Sequence, residues 1–257
     1  MLSTVDYKQD GSIAILTIQS PPANALSSSL LSDLNKKLDA IENNGVAKAI
    51  ILRGDGKFFS AGADIKEFTS LQNSLDYEAL SRSGQEIFSR IEHFSIPVIA
   101  AIHGAALGGG LELAMACHIR IAEENTKLGL PELNLGIIPG FAGTQRLPQY
   151  VGMAKAYEMI LSGEPISGKE AAQFGLVNQT VDTGEAFHEA SKLATKFAAK
   201  SKASIHRIMQ LLPYAKTSRF DEGAKAEAHL FGEIFGSADA KEGIQAFMEK
   251  RKPNFKD

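Results

Sequence analysis

From residue 12 to 18 (SIAILTI) Ile13, Ile15 and Thr17 alternate with Ala14, Leu16 and Ile18, and four of these six are β-branched. A period of two predicts a strand, closed by Pro21 and Pro22. The period then lengthens: Leu26, Leu30, Leu34, Leu38 and Ile41 trace one face of a helix over 25–41, ended by Asn43-Asn44-Gly45. A second strand over 47–52 runs into the turn cluster Arg53-Gly54-Asp55-Gly56. A loop from Phe58 to Asp64 then feeds a helix-like stretch, 65–71. Leu80, Ile87, Phe88 and Ile91 mark a long helix over 76–93, and 98–102 is apolar throughout, too short for an independent helix and suited to a buried strand. Short strands follow at 118–122 and 126–130. Residues 131–143 (PELNLGIIPGFAG) have no period and read as a loop. Helices come next at 144–150, 154–161, 168–173 and 184–200, and 203–250 is helical almost throughout. Strand–helix alternation that gives way to helices alone predicts an α/β core, 1–195, and a helical C-terminal region, 196–257.

One stretch does not fit a plain core. Residues 97–117 (PVIAAIHGAALGGGLELAMAC) pass from the apolar strand through a small-residue turn, Gly104 to Gly108-Gly109-Gly110. Beyond the turn, Leu111, Leu113, Ala114, Met115 and Ala116 favour a helix. Glu112 is the one carboxylate inside this apolar segment. A helix start exposes backbone N–H groups and a partial positive charge. Glu112 therefore reads either as an acid–base group beside such donors or as a first-turn acid that complements the dipole. A second glycine loop, Ser60-Ala61-Gly62-Ala63-Asp64, also precedes a predicted helix, and two N–H donors aimed at one point make an oxyanion hole. Glu132, behind Pro131 at a loop start, reads either as a second acid–base group or as a solvated loop charge.

Composition narrows the classes. The chain has 257 residues, Lys+Arg 27 against Asp+Glu 30, and a formal net charge of -3, with no basic stripe to suit nucleic acid. Its six histidines form no ligand pattern, so no metal is expected. A single cysteine, Cys117, excludes an intramolecular disulfide and suits a reducing cytoplasm. The first residues lack a basic start and an apolar run, so they do not read as a signal peptide. The 97–117 stretch is about as long as a bilayer span, but four glycines, His103 and Glu112 argue against that role. P-loop, GxGxxG, GxSxG, HExxH and CxxC signatures are absent.

Taken together, SAGADIK at 60–66, IAAIHGAALGGGLELA at 99–114, LPELNLGIIPG at 130–140 and GTQRL at 143–147 closely resemble the enoyl-CoA hydratase (crotonase) family. The similarity spans essentially the whole chain, including EGIQAFMEKRK at 242–252. It implies a spiral of β-β-α turns followed by a C-terminal α-helical region that joins subunits into trimers, commonly paired into hexamers. It implies an acyl-CoA thioester substrate whose enolate is stabilised by the backbone N–H groups of Ala63 and Gly109. By motif position Glu112 matches the base that takes a proton from water, and Glu132 the acid that protonates the α-carbon. The implied reaction adds water across the 2,3 double bond of a 2-enoyl-CoA to give a 3-hydroxyacyl-CoA in fatty-acid β-oxidation. Coenzyme A enters as part of the substrate, with no separate cofactor.

Ala23, Ala61, Gly62, Asp64, Ile65, Lys66, Gly140 and Lys250 are the implied CoA and substrate contacts. Lys66 and the run Lys250-Arg251-Lys252 are candidate phosphate partners, though the run also fits an exposed helix end where cations suit the dipole. The sequence departs from many relatives at Pro21-Pro22-Ala23-Asn24, which offers no lysine. Chain-length preference would lie in walls around 65–75 and Phe141. Phe231, Phe235 and Phe247 fit either a subunit interface or an intrachain core. An isomerase of the same family, or a hydratase of a branched or aromatic-catabolism enoyl-CoA, is the competing enzyme reading. A non-catalytic acyl-CoA-binding member would lack a glutamate or block a glycine loop.

Overall fold

A computed structural model describes residues 3–64, 67, 74–216, 222, 225–227, 229–231 and 237–255. Among them, six strands form one sheet in the order β1-β2-β3-β4-β6-β9. These are β1 (Val5–Asp10), β2 (Ile13–Ile18), β3 (Ala49–Gly54), β4 (Val98–Ile102), β6 (Ile119–Glu123) and β9 (Gln179–Val181). In this sheet only the β1–β2 hairpin is antiparallel, turning at Gly11 with φ 54°. A smaller sheet joins β5 (Ala105–Leu107), β7 (Lys127–Gly129) and β8 (Ile166–Ser167).

β3 and β4 are central, and their apolar runs are buried on both faces, as parallel strands covered on each side must be. Alternation sorts their side chains. Ile50, Leu52, Val98, Ala100 and Ile102 join the larger core, while Ile51, Ile99, Ala101 and Ile121 face the other way. That second face is closed by helix α6 (Ala186–Ala198). Its Ala186, Ala190 and Ala194 recur every fourth residue, so the helix can approach the sheet closely. The larger face takes α1 (Ser28–Asn44), whose buried residues are Leu30, Leu31, Leu34, Leu38 and Ile41. Ser27 caps its first turn by accepting from Leu30 N–H at 3.2 Å, and Gly45 ends it in the left-handed region with φ 64°.

The other helices are α2 (Ser74–Glu92), α3 (Gly109–Ala116), α4 (Gly143–Ser162), α5 (Gly168–Gln173), α7 (Lys202–Leu211) and α8 (Ala238–Met248). The two helices expected at 144–150 and 154–161 are the arms of α4, broken at Gly152, where φ 76° and ψ 162° leave the helical region. Residue 195, the expected end of the core, falls inside α6, whose Ala194 belongs to the buried layer.

Several elements depart from the sequence expectation. β1 had no predicted strand because Val5 is its only fully buried residue, which leaves too little alternation to read. β5 replaces part of the expected turn; its three small residues are ordered by pairing with β7, not by propensity. β8 and β9 are short for the same reason. Inside the expected 131–143 loop, Glu132–Leu135 forms a single 3-10 turn. The helix-like 65–71 stretch, with Ile65 and Lys66, lies outside the described residues except Glu67, and so do Phe235 and the Phe247 side chain. Phe231 is exposed. No helix among the described residues is long and apolar enough to cross a membrane.

Candidate active site

β4 and β5 deliver the chain to Gly108, the N-cap of α3, whose φ 51° and ψ -128° suit glycine alone. Gly108 N–H donates to Gly129 O at 2.9 Å, and Leu111 and Glu112 N–H both return to Gly108 O. The Gly109 N–H opens the helix with no intrahelical partner. A side chain is excluded at Gly110 as well, since a Cβ there would sit 2.3 Å from Ser60 O.

The second glycine loop comes alongside. Leu26 N–H donates to Gly62 O at 2.8 Å, and Asp64 N–H donates to Leu26 O at 3.1 Å. This parallel bridge turns the Ala63 N–H to the opposite side, toward α3: a Cβ on Gly109 would lie 3.4 Å from the Ala63 nitrogen. Asn24 holds the loop from behind. Its side-chain amide donates to Asp55 O and Phe58 O at 2.8 Å each, and its backbone carbonyl accepts from Ser60 Oγ at 2.8 Å.

Glu112 lies in the first turn of α3 and is 1% exposed. Its Oε1 accepts from Phe141 N–H at 2.8 Å and Gly143 N–H at 2.7 Å. Burial, with the Glu132 carboxylate second, pushes the Glu112 carboxyl up to about 7; the two N–H donors and the Arg146 cation pull it back part of the way. At the far end of α3, Arg120 donates to Ala114 O and Cys117 O, and its guanidinium stacks 4.1 Å from the Tyr150 ring centre. The helix is fixed at both ends.

Glu132 opens the 3-10 turn that follows β7. A Cβ on Gly108 would be 2.9 Å from its Oε1, so the carboxylate lies directly over the glycine turn. Its Oε2 is buried without a hydrogen-bond partner among the described residues, and burial raises its pKa. The coupling between the two acids is mutual, so their protons leave in steps that belong to the pair.

Both carboxyls line one cavity of about 840 Å³, which Ala61, Gly62, Ala63, Gly109 and Gly140 also line. Its apolar wall comes from Leu135, Ile137, Ile138 and Phe141, with Tyr77 and Ser81 of α2 beside them. Phe141 packs edge-on against Phe88, ring centres 5.3 Å apart. Gly140 O accepts from Ser81 Oγ at 2.5 Å and from Gln85 Nε2 at 2.9 Å.

Seven of the expected site residues thus meet: Ala61, Gly62, Ala63, Gly109, Glu112, Glu132 and Gly140. Ala23 and Asp64 do not line the cavity; Ala23 supports it by accepting from Ala61 N–H at 2.9 Å. Lys250 is exposed in the turn after α8 and does not reach the cavity, and its neighbour Arg251 pairs with Glu242 and Glu249. The sequence shows basic residues in a row but not which way a helix end faces. The backbone donors of Phe141 and Gly143, and the side chains of Tyr77 and Ser81, had no sequence signal beyond the glycines around Phe141. Among the described residues no cluster of three His, Cys, Asp or Glu side chains could hold a metal.

A family model described as enoyl-CoA hydratase/isomerase matches residues 8–257. The chain belongs to the enoyl-CoA hydratase/isomerase family. Within it, a probable enoyl-CoA hydratase of Bacillus subtilis (strain 168) is 59% identical over 256 residues, covering 99% of each chain. A short-chain-enoyl-CoA hydratase of Clostridium acetobutylicum is 40% identical over 253 residues, covering 98% of this chain and 97% of the relative. The structure of Pseudomonas aeruginosa DspI superposes with a TM-score of 0.95 at 37% identity, covering 99% of this chain and 97% of that one. The enoyl-CoA hydratase/isomerase fold, a crotonase-type α/β core with a helical C-terminal region, thus extends across the chain.

Proposed function

We propose that the chain hydrates 2-enoyl-CoA thioesters to 3-hydroxyacyl-CoA. One observation carries the reading: two buried carboxyls, one with an unpartnered oxygen, share a cavity with the N–H groups of Ala63 and Gly109. The thioester carbonyl oxygen accepts from those two amides. Losing one such donor typically costs about 2.7–4 kcal/mol of barrier. A water lies between the acids, and ionised Glu112 takes its proton as the oxygen bonds to C3. The electron pair of the double bond moves onto the thioester as an enolate, and protonated Glu132 gives its proton to C2. The elements of water are thereby added, and the product leaves after the two carboxyls exchange one proton.

Burial raises both carboxyls, Glu112 to about 7, so the pair can hold one shared proton near neutrality, and the hydration step starts from the state with that proton on Glu132. The apolar wall of Leu135, Ile137, Ile138 and Phe141 receives the acyl chain. Coenzyme A belongs to the substrate, and no further cofactor takes part. The relatives' names support hydration over isomerisation, and so do two carboxyls lining one cavity. The setting fits fatty-acid β-oxidation in the cytoplasm.

Glu132→Gln is expected to lower crotonyl-CoA hydration by roughly 10²- to 10⁴-fold while CoA-ester binding is retained. Loss of the conjugated-thioester absorbance and equilibrium binding measure the two. A fully active variant contradicts the assignment, and turnover of 3-enoyl but not 2-enoyl esters would establish the isomerase instead.

We further propose a trimer, or a dimer of trimers. Met153, Tyr157 and Leu161 form an exposed apolar stripe along α4, and Ile208, Leu212, Phe231 and Met248 are exposed in the C-terminal region, 196–257. Light scattering that gives a monomer mass removes this proposal.

A further inference from the structure

Arg146, inside the first turn of α4, is a buried cation whose position the proposed chemistry does not use. Its Nη1 donates to Phe141 O at 2.8 Å, and its Nε and Nη2 both reach Glu92 Oε2 at 3.1 Å. Phe141 is thus held on both polar groups, its carbonyl by Arg146 and its N–H by Glu112. Arg146 N–H also returns to Ala142 O at 3.0 Å, where φ 68° puts an alanine in the left-handed region. That strained residue lies between the two amides that converge on Glu112 Oε1, and such a conformation persists only where its surroundings fix it.

We infer that Arg146, anchored by Glu92, is a positioning residue for Glu112: it clamps the Phe141–Gly143 backbone so that both amides meet Oε1 and the other carboxylate oxygen stays outside that pair of bonds. The inference rests on Glu112 being the base proposed above. Two amides on one oxygen fix the plane of the carboxylate, and a misplacement of about 1 Å in such a group can cost about 10²-fold in rate. The guanidinium fork supplies what an ammonium cannot, three directed donors shared between a carbonyl and a carboxylate.

The cation also bears on Glu112 directly. The titratable and charged groups around Glu112 are Glu132 from the 3-10 turn, Arg146 from α4, Glu92 and Tyr77 from α2, and Cys117 just past the end of α3 with Arg120 beyond it. Of these, Glu132 raises the Glu112 pKa and Arg146 lowers it. Removing the cation should therefore move the acidic limb of the pH–rate profile to higher pH.

The test compares Arg146→Gln, Arg146→Lys and Glu112→Gln as full-length protein with crotonyl-CoA. Arg146→Gln is expected to lower kcat roughly 10- to 100-fold with KM little changed, and to shift the acidic limb of kcat/KM upward. Arg146→Lys keeps the charge and loses the fork, so kcat falls severalfold while the limb stays in place. The inference is overturned if Arg146→Gln only lowers the unfolding temperature and leaves kcat and the limb as in the unaltered protein. If Arg146→Gln does not fold, Arg146→Lys decides, and a kcat equal to that of the unaltered protein overturns the inference. An active Glu112→Gln would instead remove the catalytic reading of Glu112, so the two failures are distinguishable.

Discussion

Glu112 sits in the first turn of a helix buried along its whole length, with one oxygen held by two backbone amides. Glu132 opens a single 3-10 turn, and the residues after it, Leu135 and Ile138, are 62% and 74% exposed. Both are glutamates on the same cavity, and both have raised pKa values with burial as the first cause. They differ in what surrounds them. The Glu112 side is built from close backbone approaches at Gly110 and Gly143, whereas the turn that Glu132 opens runs on into exposed residues. In the proposed reaction the contrast sets a base held by two backbone amides against an acid carried on a single 3-10 turn.

The largest effect on stability should come from the buried charge. The folded state holds the Glu112 proton up to about 7, against an ordinary value of 4.5, so between those values the folded protein binds more protons than the unfolded one. Stability from this group is therefore present below 4.5 and is lost as pH rises through about 7. Gln is neutral throughout and keeps the oxygen that accepts from Phe141 and Gly143. Glu112→Gln should thus gain on the unaltered protein by up to about 3 kcal/mol between about pH 5 and about pH 8. Urea unfolding at both pH values measures the gain, and an equal difference at both contradicts the buried-charge account.

A smaller effect separates the two walls of the site. At Gly110 a Cβ would meet backbone, 2.3 Å from Ser60 O, and the loop leading to Ala63 must shift. Gly110→Ala should cost about 1–3 kcal/mol by overpacking and lower hydration as well. At Gly136, just past the 3-10 turn, φ is 71° but a Cβ meets nothing within 4 Å. Gly136→Ala should cost only about 1 kcal/mol, from the left-handed backbone. Equal losses in the two variants would erase the proposed difference between the walls.

The parts of this arrangement legible in the sequence are those with a local cause. The 30–41 leucine stripe, the apolar runs at β2, β3 and β4, and the acid set among small residues after three glycines all follow from spacing. Even the break at Gly152 showed as a gap between two helical stretches. What stayed hidden depends on distant segments meeting. Arg146 lies in the GTQRL stretch with no role legible there, because its partner Glu92 is 54 residues away and its other contact is a backbone carbonyl. β5 is three small residues that become a strand only beside β7. The two amides on Glu112 come from 29 and 31 residues downstream, in a stretch with no period at all. Lys250 is the opposite case: its place at a helix end is legible in the sequence, but the direction in which that end faces is not.

The central claim is that Glu112 and Glu132 act as a unit on one water. The most direct test is the kcat/KM for crotonyl-CoA of Glu112→Gln, Glu132→Gln and the double variant, measured side by side. Groups that act together lose their function together, so the double variant should lie within about tenfold of the weaker single one. Losses that multiply in the double variant, or a single variant that keeps the full rate, would contradict the account.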